Sequence, residues 1–356
     1  MQPGVSRLGA GRPGARGPAG LLGPAGLLGP AGLLGLAGLV GLIGLVACQT
    51  SAGRADGGRD AAAQDAGDGN GAADTGDAGA GTVELVVVLL NTHSFQEGPD
   101  SLAALERIGR GLAALDADLV GLNEVMSGTF WAYDYGGAQH DGAAIIEQAL
   151  EQASGEQYHA AGCGFAHWDT GELMSNVVLS RTPIDATGCR GLTTTDFWPA
   201  PEEQRNVTHA RTTVPGLGPV GFFVTHTWGW DSADALVQVD EVKAFMAERA
   251  RGDEALLLLA GDLNTTPDSQ AYQRWLSGPP LRLVDTFARA NPEAIHDPTV
   301  FDPRARIDYI LVGADRPPAT DPARLSSRLV FTGHPLPRVS DHLGVMTVFR
   351  LPAEGG

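Results

Sequence analysis

Six stretches of this chain set a residue able to ligate a cation or move a proton at the edge of an apolar run, or inside one. VELVVVLL (83–90) is followed by Asn91, ADLVGLNEV (117–125) carries Glu124, and PVGFFVTH (219–226) ends on His226. ALLLLAGDLN (255–264) ends on Asp262, Leu263 and Asn264. RIDYILV (306–312) carries Asp308 between Ile307 and Tyr309, and Asp341 and His342 stand just before LGVMTVF (343–349). Singly, each has an ordinary structural reading. Asn91 or Asp262 caps a turn, Glu124 pairs with an arginine, His226 is a satisfied edge histidine, and Asp308 is a buried partner of Arg306. Together they form a chemical inventory of carboxylates, carboxamides and imidazoles, with no Gly-x-Ser-x-Gly elbow and no nucleophilic cysteine. That inventory suits hydrolysis of a phosphate ester with a hard cation. Mg²⁺ takes oxygen ligands and keeps several waters and a substrate oxygen; Mn²⁺ and Ca²⁺ share the preference. Asn and His donors stabilise charge on phosphoryl oxygens, an Asp orients or deprotonates the attacking water, and a His held by a carboxylate acts as acid or base.

The elements that must hold these residues are legible from periodicity. The runs at 83–90, 117–125, 175–184 and 255–260 are apolar without alternation, as in strands covered on both faces. The chain is expected to turn at Gly261, and the strand 117–123 to stop just before Glu124. HARTTV (209–214) and PVGFFVTH, separated by PGLG, predict a hairpin. Residues 100–115 predict a helix capped by Asp100 or Ser101, with Leu102, Leu105, Ile108, Leu112 and Leu115 as its stripe. Residues 232–250 predict a longer one, with Leu236, Val239, Val242, Phe245 and Met246 inward. Strands joined partly by helices and partly by hairpins predict a mixed α/β domain with more than one sheet.

The chain divides by composition. Residues 1–47 contain Arg7, Arg12 and Arg16, no acid, and a decaying GPAGLL repeat that ends in the apolar run Leu33–Ala47. This fits a signal peptide, and LVAC (45–48) resembles the lipobox of bacterial lipoproteins, in which the cysteine is lipidated. The alternatives are an uncleaved apolar anchor, or a start codon placed upstream of a shorter signal. Residues 48–82 form the lipidated Cys48 and a Gly/Ala/Asp linker too poor in apolar residues to fold. Residues 83–356 form the folded domain. The implied location is a bacterial membrane, through a lipid anchor, facing the periplasm or the exterior.

Formal net charge is −18. Removing the three arginines of the first segment, and the linker's six aspartates and two arginines, leaves −17 on the domain. The only lysine is Lys243. Such a surface is a poor match for long nucleic acid, whose binding rests on phosphate neutralisation. A small phosphate ester or a lipid headgroup fits better, because a bound cation inverts the local sign. FWPAP (197–201) and WGW (228–230) would serve a lipid enzyme as exposed apolar residues, or are simply buried. The three cysteines are no framework; Cys163 and Cys189 are two unrelated small residues or, if the chain is exported, one disulfide.

NTHS (91–94), DLVGLNEV (118–125), NVVLSRTPI (176–184), VTHTW (224–228), AGDLNTTPDS (260–269), RIDYILV and SDHLGV (340–345) follow one another in an order that resembles the endonuclease/exonuclease/phosphatase superfamily. The resemblance implies a four-layer α/β sandwich, two packed mixed sheets flanked by helices, and Mg²⁺-dependent phosphoester cleavage by an in-line water. It implies Glu124 as principal metal ligand, helped by Asn91, with Asp341 ligating or supporting the metal. Asp262 would orient or activate the water, and Asn264 would hold a phosphate oxygen. His342, oriented by Asp308, would serve as general base or transition-state donor. His226 would contact phosphate or protonate the leaving group. The chain departs from the pattern at Asn123, where a glutamine commonly precedes the glutamate, and at His93, where some nucleases have an aspartate. Arg205 falls where relatives often have an arginine, with its role open. The leading expectation is an exported phosphodiesterase or phosphatase with no protein partner. The alternatives are a secreted nuclease, or a non-catalytic binding lipoprotein that would have lost one of Glu124, Asp262, Asp308 or His342; all four are present.

Overall fold

The apolar run at 83–90 has no alternation because both its faces are covered. In the computed structural model it is β2 (Thr82–Asn91), with Leu85, Val87 and Leu89 facing a second sheet and Val86, Val88 and Leu90 facing helices. The structure describes residues 49–50, 81–93, 101–129, 139–166, 173–193, 205–229, 232–301 and 304–354. The expected signal peptide, Cys48, all but the ends of the linker, Asp100, FWPAP and Trp230 lie outside the described residues.

One sheet runs β1 (Gln49–Thr50), β5 (His159–Ala166), β6 (Leu173–Ser180), β3 (Leu119–Thr129), β2, β16 (Gly344–Pro352), β15 (Leu325–Val330), with β4 (Gln139–Asp141) along β3. The other runs β11 (Leu283–Asp285), β14 (Asp308–Gly313), β10 (Leu256–Asp262), β9 (Gly218–His226), β8 (Asn206–Val214), β7 (Ile184–Gly191). A two-stranded hairpin, β12 (Val300–Phe301) and β13 (Arg304–Ala305), stands apart. Pairing is antiparallel except for β2/β3 and β9/β10, so both sheets are mixed.

Each parallel pair is bridged by a helix, α1 (Ser101–Ala114) or α3 (Ala233–Arg249). With α2 (Gly142–Ser154) and α4 (Gln270–Leu276) these cover the outer faces, giving four layers. The β10 leucines divide as those of β2 do: Leu256 and Leu258 face the other sheet, Leu257 and Leu259 face α3. In open α/β sheets a ligand crevice forms at the carboxyl ends of parallel strands. Those ends here carry Asn91, His226 and Asp262.

Two expectations are corrected. The chain does not turn at Gly261: β10 runs on through Asp262, paired to β9 and β14. Glycine is required because a Cβ there would run into the Thr225 carbonyl oxygen of β9. Nor does the strand stop at 123; β3 continues to Thr129 past a bulge between Leu122 and Val125.

The helices α3 and α4 are tied by Lys243, which is buried and donates to the Arg274 and Gly278 carbonyls at 2.9 and 3.2 Å and to that of Ser277 at 2.5 Å. A disulfide joins Cys163 of β5 to Cys189 of β7, Cα atoms 5.7 Å apart, stapling one sheet to the other.

His209 of β8 is buried, stacked 4.4 Å from Phe223. Burial, then the charge of Arg249, lowers its pKa to about 4. The fold therefore keeps this ring neutral, while an unfolded chain takes up a proton near pH 6.5. Stability is fully present above that value and falls as pH drops from about 6.5 to about 4, by roughly 3 kcal/mol for this group. His209→Phe is expected to lose less stability than the parent between pH 7 and 4.5 in urea titrations; an equal loss would absolve His209.

Candidate active site

Asp262 is the hub. It is 2% exposed at the end of β10. Its backbone N–H donates to Asn123 Oδ1 at 2.8 Å, and its Oδ1 accepts the Asn264 N–H at 2.9 Å. Its Oδ2 accepts from Asn91 Nδ2 at 3.0 Å and lies 3.5 Å from His226 Nε2 and 3.8 Å from His342 Nε2. Burial first, and the nearby charge of Asp308 second, push its pKa up to about 7.

Three of the site's residues have left-handed backbone: His93 (φ 51°), Glu124 (φ 56°) and Asn264 (φ 48°). Non-glycine residues adopt this region at a cost, and such strain concentrates where side chains must be aimed. At Glu124 the cause is the β3 bulge, a device that re-aims side chains beside active sites. At Asn264 the chain passes close to Gly229, where a Cβ would lie 3.0 Å from that of Asn264.

Asn91 Nδ2 also reaches Glu124 Oε1 at 3.0 Å, so one amide nitrogen sits between two carboxylates. Glu124 and Asp262 thus converge on one point, and with His226 their ligand atoms lie within 4.8 Å of one another. Converging carboxylates fit an oxygen-seeking divalent cation that keeps its remaining waters. Asn91 Oδ1 accepts the His93 N–H at 2.9 Å, so its amide nitrogen rather than its oxygen faces the carboxylates. Asp341 stands further out: its Oδ1 is 3.4 Å from His93 Nδ1 and 3.9 Å from His342 Nε2. That arrangement suits a supporting role better than a ligand's.

Asp308, at the start of β14, accepts from His342 Nδ1 at 2.9 Å. Arg306 does not take Asp308; it pairs with Asp285 at 2.7 Å, so the ordinary reading of Asp308 is set aside. Burial alone would lower the His342 pKa. The charge and hydrogen bond of Asp308, reinforced by Asp262 and Asp341, outweigh it and push the value up to about 10. His342 is therefore an imidazolium at neutral pH, with Nε2–H directed toward Asp262.

His226 is the opposite case. Burial, then the charges of Arg205 and His342, hold its pKa well below 6.5. Arg205 Nη1 lies 2.7 Å from His226 Nδ1. A guanidinium only donates, so Nδ1 accepts and the single proton sits on Nε2. Asn264 Nδ2, which donates to the Thr227 carbonyl at 3.0 Å, is 2.9 Å from that Nε2. The same Nε2 lies 3.5 Å from Asp262 Oδ2, so its proton borders the site's central carboxylate.

All eight residues singled out from sequence thus come together: six gather around Asp262, and Asp341 stands at the edge. Sequence reasoning missed what Asn123 does. It is fully buried, and besides the Asp262 N–H it reaches Asn176 Oδ1 at 2.7 Å and the Thr225 carbonyl at 3.0 Å, lacing the two sheets behind the site. A carboxamide in an otherwise apolar strand, next to a glutamate, was the available signal.

A model of the Endonuclease/Exonuclease/phosphatase family matches residues 88–342, and the chain belongs to that family, whose members hydrolyse phosphoester bonds. An endonuclease/exonuclease/phosphatase family protein from Leptotrichia buccalis C-1013-b shares the fold at TM-score 0.58 and 17% identity, over 74% of this chain and 98% of that one. An endonuclease/exonuclease/phosphatase from Beutenbergia cavernae DSM 12333 does so at TM-score 0.58 and 24% identity, over 75% and 72%. TDP2 from Caenorhabditis elegans does so at TM-score 0.51 and 16% identity, over 75% and 74%. No curated protein matches the chain.

Proposed function

We propose that this chain is an exported, divalent-cation-dependent phosphoester hydrolase in which water attacks phosphorus, tethered to a membrane by a lipid on Cys48. The observation that carries the catalytic reading is the Asp262 carboxylate oxygen that faces Asn91, His226 and His342 at once. Glu124, with Asp262 beside it, would hold the cation, Mg²⁺ by the hardness of its donors. A bound cation supplies Lewis-acid polarisation of the phosphoryl group. Asp262 orients and deprotonates the water. His342, kept protonated by Asp308, donates to a phosphoryl oxygen in the transition state. The His226 and Asn264 donors receive another oxygen. Asp262, whose carboxyl is poised near neutral pH, and the proton-rich His342 divide the work of base and acid.

The charge of −17 favours a lipid headgroup or small ester over long nucleic acid. A nuclease is the second reading, favoured by TDP2 from D. rerio, solved with a single-strand DNA product, which shares the fold at TM-score 0.50 and 17% identity. Export is supported by the Cys163–Cys189 disulfide, since such bonds persist in oxidising compartments.

Bis-p-nitrophenyl phosphate is expected to be hydrolysed with Mg²⁺ and spared in EDTA, with activity restored by added metal. No metal-dependent turnover, or full turnover by Asp262→Ala, would overturn the enzyme reading in favour of a binding lipoprotein. Product release from phosphatidylcholine or sphingomyelin vesicles, against plasmid DNA, distinguishes the two substrate readings; cleavage of DNA alone would defeat the charge argument. Fatty-acid labelling that survives Cys48→Ser would defeat the anchor.

A further inference from the structure

The hairpin β12–β13 is welded to the catalytic dyad. Val300 bridges to His342, the Thr299 carbonyl accepts the Leu343 N–H at 2.7 Å, and Thr299 Oγ1 accepts the Asp308 N–H at 3.2 Å. One residue past Val300, Phe301 leaves the core. It is 39% exposed, one of three large hydrophobic side chains so exposed among the described residues. Its ring is covered by Arg338, whose guanidinium carbon stands 3.8 Å from the ring centroid. Arg338 comes from the loop that delivers Asp341 and His342, anchored by buried Val339. The exposed pair therefore spans the two segments that carry the partners of the dyad, at the rim of the site.

Arg338 is itself exposed, and among the described residues no carboxylate pairs with it. Phe301 seats the guanidinium, 3.8 Å from the ring centroid. A guanidinium stacked through its face is pre-organised to offer its N–H edge to the oxygens of a phosphate.

Building on the hydrolase reading, we infer that Arg338, seated on Phe301, is a specificity subsite for a second phosphate carried by the substrate beyond the scissile one. The substrate class is then a phosphoester with at least two phosphates, and the subsite selects it through binding rather than through the chemical step.

The test is calorimetry in saturating Mg²⁺ with methyl phosphate and with alkane-diyl bisphosphates graded from propane to hexane. The parent protein is expected to bind the best-fitting bisphosphate about tenfold tighter than methyl phosphate, as one charge-assisted pair provides. Arg338→Gln should bring that ratio to near one. Phe301→Leu, which removes the seat but keeps the cation, should give an intermediate ratio. A ratio near one at every length in the parent, or an undiminished ratio in Arg338→Gln, would overturn the subsite. Turnover of bis-p-nitrophenyl phosphate is read separately. Turnover with a flat ratio defeats the subsite alone, and an Arg338-dependent ratio without turnover defeats the hydrolase reading alone.

Discussion

Asp308→Asn is expected to lower kcat on bis-p-nitrophenyl phosphate by about 10³-fold or more, with the fold intact and KM changed far less. Asp308 Oδ2 is the direct partner of His342 Nδ1, at 2.9 Å in a buried position. Its other oxygen has no hydrogen-bond partner among the described residues. The imidazolium is therefore the principal compensation for a buried carboxylate, and the carboxylate is the main reason the ring stays protonated. An asparagine fills the same volume but supplies no charge, so burial then lowers the His342 pKa unopposed by its strongest neighbour. Its amide also presents either an oxygen or a nitrogen to Nδ1, and the second choice moves the ring proton off Nε2 or turns the ring. In a serine-protease triad the equivalent change costs about 10⁴ in kcat through a wrong tautomer. His342→Ala removes the donor itself and should be no more active than Asp308→Asn. Steady-state kinetics at pH 7, with circular dichroism for the fold, decide it. A variant retaining full kcat would show that His342 works without its carboxylate.

How far this site could be read in advance differs from residue to residue. Glu124, His226, Asp262 and Asp308 announce themselves because a polar residue within or beside a two-face-buried strand has no solvent to justify it. Which polar residue meets which is a tertiary fact. Arg306 lies two residues from Asp308, yet its guanidinium reaches Asp285 of β11. His226 has the same side chain as His342 but the opposite protonation, because its Nδ1 meets Arg205 whereas that of His342 meets Asp308. Nothing local to either histidine encodes that difference. The strand β10 likewise ends at Asp262 rather than turning at Gly261, since glycine signals a turn and a close backbone approach in the same letter.

The fold followed the same rule. The strands β2, β3, β9 and β10 are buried on both faces and give unbroken apolar runs. The strands β5 and β7 read HAAGCGFA and IDATGCRG, near a sheet edge and at one, with too few apolar residues for either period. The helix α2 goes unassigned although its signals are present. Asp141 caps the Ala144 N–H at 3.2 Å, Ile146 and Leu150 are buried on one face, and Gly155 closes it in the left-handed region at φ 76°. Its weak marker is composition, since alanine and glutamine soften the apolar stripe.

Reduction of the Cys163–Cys189 disulfide is expected to lower the stability of the domain by about 3.5 kcal/mol, from the chain entropy of a loop of this length. In a domain of this size that corresponds to a fall of roughly 6 °C in Tm. The two cysteines are 26 residues apart and sit on different sheets, β5 and β7. Those strands flank the segments that bring Asn176 and Asn206 together, where Asn176 Nδ2 donates to Asn206 Oδ1 at 2.8 Å and to its carbonyl at 3.0 Å. Asn123 joins the same network and holds the Asp262 backbone. Loss of the staple should therefore loosen the sheet-to-sheet lacing behind the site before it exposes the core, and activity at 37 °C should fall while the far-ultraviolet signal there is still native. The Cys163→Ser/Cys189→Ser double variant should match the reduced parent and be indifferent to dithiothreitol. Equal Tm values for oxidised parent, reduced parent and double variant would show that the staple adds nothing to the folded state, and would remove the disulfide as support for an oxidising compartment.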